Sequence, residues 1–241
     1  MTLWYDGPLA AFDTKTTGVD VERDRVVSAS VVVQDAAGGP PRITRWLVGP
    51  GVPVPAAAVE AHGLTDDRLR RDGRWPAPVL EEVARSLAEQ CAAARPLVVV
   101  DAPFGLTLLD RELRRHRAAP LSRYLEHVSL CVLDPRVLDR QLDRYRKGPR
   151  TLTDLRERYG VSSDGTPDTV ADALAALEVT RAVGRRFAAR LERLSAPELH
   201  TLQAVWHAAH TRGPQAWFAR GGAPDVVDPA WPLRTELRAS V

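Results

Sequence analysis

Cysteine and methionine are scarce in this chain of 241 residues, which has two of the first and one of the second. Cys91 and Cys131 have no C-x-x-C spacing, so a disulfide framework and a cysteine zinc site are excluded, and two small apolar interior side chains are expected. Aromatic residues make up 6 %. No apolar run approaches the roughly 20 residues of a membrane span. The opening, MTLWYDGPLA, lacks a basic region followed by an apolar signal core. The expectation is a cytoplasmic protein with no membrane partner. A dominant charge sign is missing too: 33 Lys plus Arg against 31 Asp plus Glu leave +2, too little for a large single-sign field. With 44 % hydrophobic residues the chain is not disordered.

What is present is a change of pattern along the chain. Leu9 to Asp13 is a short apolar run ending in an acid, and Thr14 to Gly18 has turn character. Val26 to Gln34 and Arg42 to Val48 read as antiparallel neighbours joined by the Gly- and Pro-rich turn between them. After a Pro-rich crossing, helix and strand alternate: helix Ala77 to Ala94, strand Leu97 to Val100, helix Phe104 to His116, strand Ser129 to Leu133. Helices are predicted from Pro135 to Asp143, Leu152 to Tyr159 and Pro167 to Leu194, and from Ala196 to Thr211 behind Ser195 as N-cap. From Gly213 an irregular strap is expected to pack on the body through Trp217, Phe218 and Trp231. The fold class is α/β: a mixed central sheet of about five strands flanked by helices, with a helical and irregular C-terminal extension. The division expected is 1–194 for the main domain and 195–241 for the extension.

The stretch Phe12-Asp13-Thr14-Lys15-Thr16-Thr17-Gly18 resembles the first motif, F-D-x-E-T-T-G, of the DEDDh 3′–5′ exonucleases, the family of the epsilon proofreading subunit of DNA polymerase III. Three more stretches follow in family order: Glu60-Ala61-His62-Gly63-Leu64-Thr65, Asp101-Ala102-Pro103-Phe104-Gly105, and Pro167 through Asp172-Ala173. They are similar to I-H-G-I-T, N-A-x-F-D and H-x-A-x-x-D-A. The resemblance implies a ribonuclease H-like fold and hydrolysis of a terminal phosphodiester by two divalent metals, Mg²⁺ or Mn²⁺, held by carboxylates beside a histidine base.

Carried over position by position, Asp13 and Asp172 are the retained acids. Lys15 replaces the family glutamate, Gly105 the second-motif aspartate and Pro167 the histidine. The first change turns a −1 ligand into a +1 side chain. Unit charges about 4 Å apart interact by about 4 kcal/mol at an effective dielectric of 20, so an ammonium beside a divalent ion is repelled by roughly twice that. Glycine has no ligand atom and proline accepts no proton at its side chain. The expectation is therefore a catalytically impaired homologue with no metal bound or only weak binding at Asp13 and Asp172. Lys15 is expected to bridge these two acids, with a solvent-directed Lys15 as the bland alternative. A second reading keeps a phosphodiesterase alive on a rewired set of Asp13, Asp101 and Asp172. Asp168 reads as a helix N-terminal acid.

For binding, Thr16, His62, Phe104 and Asp101 match positions that flank the terminal nucleotide in the family. His62 is equally a structural histidine and Phe104 equally a core residue. Basic residues cluster at Arg68–Arg71, Arg111–Arg117 and Arg140–Arg150, the last with Tyr145 for stacking. They form either a phosphate-tracking surface or ordinary solvated helix faces. The partners expected are single-stranded nucleic acid, a nucleotide, or another protein; a protein-interaction module without nucleic-acid binding is the third reading.

Overall fold

The strand β1 (Leu9–Thr16) lies at the centre of a five-stranded sheet in the computed structural model, which describes residues 3–162, 168–218 and 228–235. β2 (Val26–Gln34) pairs antiparallel with β1, and β3 (Arg42–Leu47) antiparallel with β2. On the other side, β4 (Leu97–Val98) runs parallel to β1, and β5 (Val132–Leu133) parallel to β4. The order is β3-β2-β1-β4-β5. The valine-rich β2 is buried throughout, Ser28, Ser30 and Gln34 included, whereas β3 carries exposed arginines, which discourage pairing at this edge.

The period of two along β1 sorts its residues between an upper core, which holds Ala10 and Phe12, and a lower core, which holds Leu9 and Ala11. Ala10 and Phe12 pack with α3 (Pro76–Ala92) and α4 (Ala102–Arg117). Leu9 and Ala11 face the other layer. That layer comprises α6 (Pro135–Leu142), α7 (Leu152–Tyr159) and α8 (Thr169–Arg186). Between β3 and α3 come α1 (Ala56–His62) and α2 (Asp66–Asp72); α5 (Leu121–Tyr124) follows α4 and α9 (Ala188–Leu191) follows α8. The final helix, α10 (Ala196–Phe218), contacts β5 and α6.

Differences from the sequence expectation are local. β1 continues through Thr16 instead of turning after Asp13, because Thr14, Lys15 and Thr16 keep pairing with β2. Strands β4 and β5 are two residues each. The Pro-rich crossing contains α1 and α2, each of seven residues and too short to show a helical period. The long helix expected to Leu194 ends at Phe187, whose backbone (φ −110°, ψ 27°) leaves the helical region as its ring joins the lower core. α10 runs through Gly213 and Pro214 to Phe218, because a proline removes one hydrogen bond without always ending a helix. The side chains of Trp217 and Phe218, expected in the strap, lie outside the description, as does Pro167. Trp231 does enter the upper core, its ring 4.9 Å from that of His200. Cys91 is buried, Cys131 half-buried, and both are free. Among the described residues no helix is long and apolar enough to cross a membrane.

Candidate active site

Extension of β1 through Thr16 decides the geometry: residues 13 and 15 of a strand share a face, so Asp13 and Lys15 point to the same side. The first turn of α8 brings up Asp172. The Lys15 ammonium donates a hydrogen bond to Asp172 Oδ2 and stands 3.4 Å from Asp13 Oδ2. The three side chains are 17 %, 23 % and 25 % exposed for Lys15, Asp13 and Asp172, so solvent screens this cluster only partly. Burial works against the charge on Lys15, but the two carboxylates outweigh it and hold its pKa above the ordinary value. Asp13 is pushed up to about 7 by burial, with Asp172 acting in the same direction and Lys15 opposing. Near neutral pH Asp13 is therefore partly protonated, and the trio carries between 0 and −1.

The other family positions do not complete a metal centre. Gly105, in the first turn of α4, offers no ligand, although a side chain there would meet only Val99 Cγ1 at 3.6 Å. Asp101 sits in the left-handed region (φ 56°, ψ 54°) ahead of α4 and its carboxylate pairs with Arg136. Asp168 pairs with Arg45 at 3.0 Å. The rewired set of Asp13, Asp101 and Asp172 is thus not assembled. Among the described residues no group of three or more His, Cys, Asp or Glu is arranged to hold a metal ion. The donor set present, two acids with an ammonium between them, does not fit a divalent cation.

His62 lies beneath this cluster with both ring nitrogens committed. Nε2 donates to the Thr16 carbonyl at 3.2 Å and Nδ1 accepts from the Leu64 amide at 3.1 Å. These bonds fix a neutral tautomer, and burial, then the nearby Lys15 charge, keep its pKa below the ordinary value. The ring ties the end of β1 to the turn after α1. Thr16 Oγ1 donates to the Gly18 carbonyl at 2.6 Å. Gly18 is required sterically, since a Cβ there would lie 2.5 Å from the Asp24 carboxylate, which accepts from Thr17 Oγ1 and the Asp20 amide. Phe104 is half-buried against the upper core.

Lys15 and His62 line two adjoining hollows. One, of about 350 Å³, is bounded by Thr16, Gly18, Val19 and α1. The other, of about 250 Å³, is bounded by Ser28, Arg45, Arg68 and Asp168. Arg45 is a residue the sequence reading missed; alternation on an edge strand gave no sign that it would meet the start of α8.

The arginine clusters are largely internally neutralised. In α4, buried Asp110 accepts from Arg111 at 2.7 Å and Arg114 at 2.8 Å, Arg115 pairs with buried Glu112, and Arg117 with Glu81. Arg146 and Arg150 both close on buried Asp139, at 3.0 and 2.7 Å. Tyr145 is exposed with the Arg144 guanidinium 5.4 Å from its ring centroid. The solvated-face reading therefore describes most of these arginines better than a phosphate track does.

Comparison with known proteins agrees with this geometry. The model of a family described as Exonuclease (RNase_T) matches residues 10–180. A DNA polymerase III subunit epsilon-like protein of Rhodobacter capsulatus is 34 % identical over 103 residues, 42 % of this chain and 14 % of that protein. The DNA polymerase III subunit epsilon of Treponema pallidum is 30 % identical over 112 residues, 46 % of this chain and 49 % of that protein. The match spans less than half the length of either relative. Among solved structures, E. coli exonuclease I in complex with a dT13 oligonucleotide superimposes with a TM-score of 0.60 at 16 % identity, over 76 % of this chain and 42 % of that one. Exonuclease X in complex with 5′ overhanging duplex DNA does so with a TM-score of 0.54 at 16 % identity, over 81 % and 99 %. At such identity these likenesses speak for the fold. The family match, running from the second residue of β1 into α8, speaks for descent: this chain belongs to the DEDDh exonuclease family and resembles the epsilon subunit of DNA polymerase III.

Proposed function

We propose that this family member is a pseudo-exonuclease, which binds a single-stranded end or a nucleotide in the Lys15 cleft and does not hydrolyse it by the two-metal route. The observation that carries this reading is the Lys15 ammonium bonded to Asp172 and 3.4 Å from Asp13. A cation belonging to the chain occupies the space between the retained acids, and a divalent ion would have to displace it against roughly 8 kcal/mol of unscreened repulsion at 4 Å. The family's histidine base has no counterpart among the described residues: His62 is neutral and bonded at both nitrogens, and the sequence has Pro167 at the histidine position.

For binding, the hollows beside Lys15 offer Arg68 and, beyond its pair with Asp168, Arg45 to an anionic ligand, with Thr16 at the rim of the neighbouring hollow and Phe104 on the first turn of α4. Single-stranded nucleic acid as ligand and a protein as partner are supported by the structural neighbours, one crystallised with a dT13 oligonucleotide and one described as an ExoI/SSB-Ct complex. The reading includes a main domain of residues 1–194 with an extension of 195–241. It also includes a cytoplasmic setting, where free thiols such as Cys91 and Cys131 stay reduced.

The test is calorimetric titration with Mn²⁺ in parallel with degradation of 5′-labelled single-stranded DNA and RNA. No saturable metal binding and no trimming, with oligonucleotide binding at low salt, is the result expected. Metal-dependent 3′-end trimming abolished by Asp13→Asn would overturn the proposal, and absence of any oligonucleotide or nucleotide binding would leave only the protein-interaction reading.

A further inference from the structure

A further cavity, of about 290 Å³, opens at the carboxyl edge of β4 and β5 and shares no lining residue with the two hollows beside Lys15. Its walls come from the start of α4, from α6, from the segment after it, from α10 and from the strap of residues 228–235. The lining is rich in cations: Arg136, Arg140, Arg150 and Arg234, with His207 and His210. Two acids, Asp101 and Asp134, are also present, and both are occupied. Asp101 pairs with Arg136; buried Asp134 accepts from the Ala102 amide at 3.0 Å and the Arg136 amide at 2.9 Å.

The remaining positive charge is answered only in part. Arg150 is anchored from behind by Asp139. Arg140 has no ion pair or hydrogen bond among the described residues, and its neighbours Arg150 and Arg136, together with burial, push its pKa below the ordinary value. His207 Nε2 is buried and has no hydrogen-bond partner among the described residues. His210 is held down to about 4 by burial and by Arg140, His207 and Arg150. A half-closed hollow lined by like charges and an orphaned imidazole nitrogen is short of one component, an anion with several acceptor oxygens.

We propose that this cavity binds a phosphate group, held by Arg140 and Arg150 from α6 and its following segment, by His207 and His210 from α10, and by Arg234 from the strap. His207, His210 and Arg234 lie outside the residues matched by the family model, whereas Arg136, Arg140 and Arg150 lie inside it, so the cavity joins the matched region to the segments that follow it. The phosphate is that of a free anion or nucleotide, or one along a nucleic-acid strand whose end lies in the Lys15 cleft.

The test titrates the full chain with inorganic phosphate, and separately with oligo(dT) carrying a 5′-phosphate or a 5′-hydroxyl, following the ring resonances of His207 and His210 and the heat of binding. Saturable shifts at both histidines are expected, with a Kd for inorganic phosphate on the order of 1 mM. Arg140→Gln, which removes a cation that satisfies no acid, is expected to fold with an unchanged or higher Tm and to weaken binding about tenfold. Arg42→Gln, at a paired arginine on β3, serves as the charge-matched control and leaves binding unchanged. Preference for the 5′-phosphorylated oligonucleotide identifies a terminal monoester, and equal binding of both, still dependent on Arg140, an internal phosphodiester. No saturable shift with any of these probes, or shifts that persist unaltered in Arg140→Gln, would overturn the proposal. Neither result bears on the loss of two-metal hydrolysis proposed at Lys15, which is decided by Mn²⁺ and trimming.

Discussion

The Lys15 ammonium is hydrogen-bonded to the Asp172 carboxylate across 157 positions of sequence, joining the central strand of the sheet to the helix that covers it. Replacing Lys15 by glutamate puts three acids where two shared one cation. In the presence of a chelator, Lys15→Glu is expected to lose about 1–3 kcal/mol, allowing for partial exposure of the cluster, or roughly 2–10 °C in Tm for a chain of this size. Mn²⁺ is expected to restore part of that loss in the variant and to leave the parent unchanged. Thermal unfolding with and without Mn²⁺ measures both, and a variant as stable as the parent in chelator would remove the bridging role.

The raised pKa of Asp13 has a signed consequence. Its proton is bound more tightly in the folded chain, at about 7, than at the ordinary carboxylate value of 3.8. Its contribution to stability is therefore complete below about pH 4 and declines as pH rises through 7. Asp134, pushed up to about 6 by burial and by Asp101, acts in the same direction. The comparison that isolates Asp13 is parent against Asp13→Asn. The variant is expected to lose less stability between pH 5 and pH 8, by at least about 1 kcal/mol. Parallel pH profiles would mean that Asp13 is ionised throughout.

Restoring the family residues is expected to rebuild part of the chemistry. At Gly105 an added Cβ meets only Val99 at an ordinary contact distance, so the first atom of a side chain is accommodated there. The triple variant Lys15→Glu, Gly105→Asp, Pro167→His is expected to bind Mn²⁺ more tightly than Lys15→Glu alone and to trim 3′ ends, with trimming absent from every single variant. A folded triple variant that fails to bind Mn²⁺ in calorimetry would show that the cleft has been reshaped beyond these three positions.

Much of this arrangement was legible in the sequence, for identifiable reasons. The apolar runs of β1 and β2 and the helical spacing of Val79, Leu80, Val83 and Leu87 state their own periods, and the substitutions at Lys15, Gly105 and Pro167 stand in ordered motifs. What escaped depends on partners far along the chain. The strand character of Thr14–Thr16 comes from pairing with Ser28 and Ala29 of β2, against local turn chemistry. The arginines of α4 look like a binding face until Asp110 and Glu112 are seen buried among them. The proposed phosphate cavity gathers short pieces from five regions, and its cations do not form one pattern along the chain.

The N-terminal segment offers a packing test outside both sites. Arg181, fully buried in α8, donates to the carbonyls of Tyr5 at 2.7 Å and Gly7 at 3.0 Å. A Cβ at Gly184, one turn on, would lie 2.5 Å from the Tyr5 ring. Gly184→Ala is expected to destabilise the chain by about 1–3 kcal/mol through overpacking, read as a lowered urea midpoint. The double variant Tyr5→Ala, Gly184→Ala is expected to show non-additivity, because the clash disappears with the ring; strict additivity would mean that the two residues are not in contact.

His62 spends both nitrogens on the backbone at the mouth of the cleft, and Lys15 spends its charge on the acids behind. A metal ion holding strand to helix exchanges with its surroundings, and the coupling between the two elements then rises and falls with supply. An ammonium on a four-carbon stem rooted in β1 is present at a local concentration that no dilution or chelation alters. The joint between sheet and covering helix is thereby set once, at folding, and the recognition surface it supports is insulated from the ionic history of its surroundings.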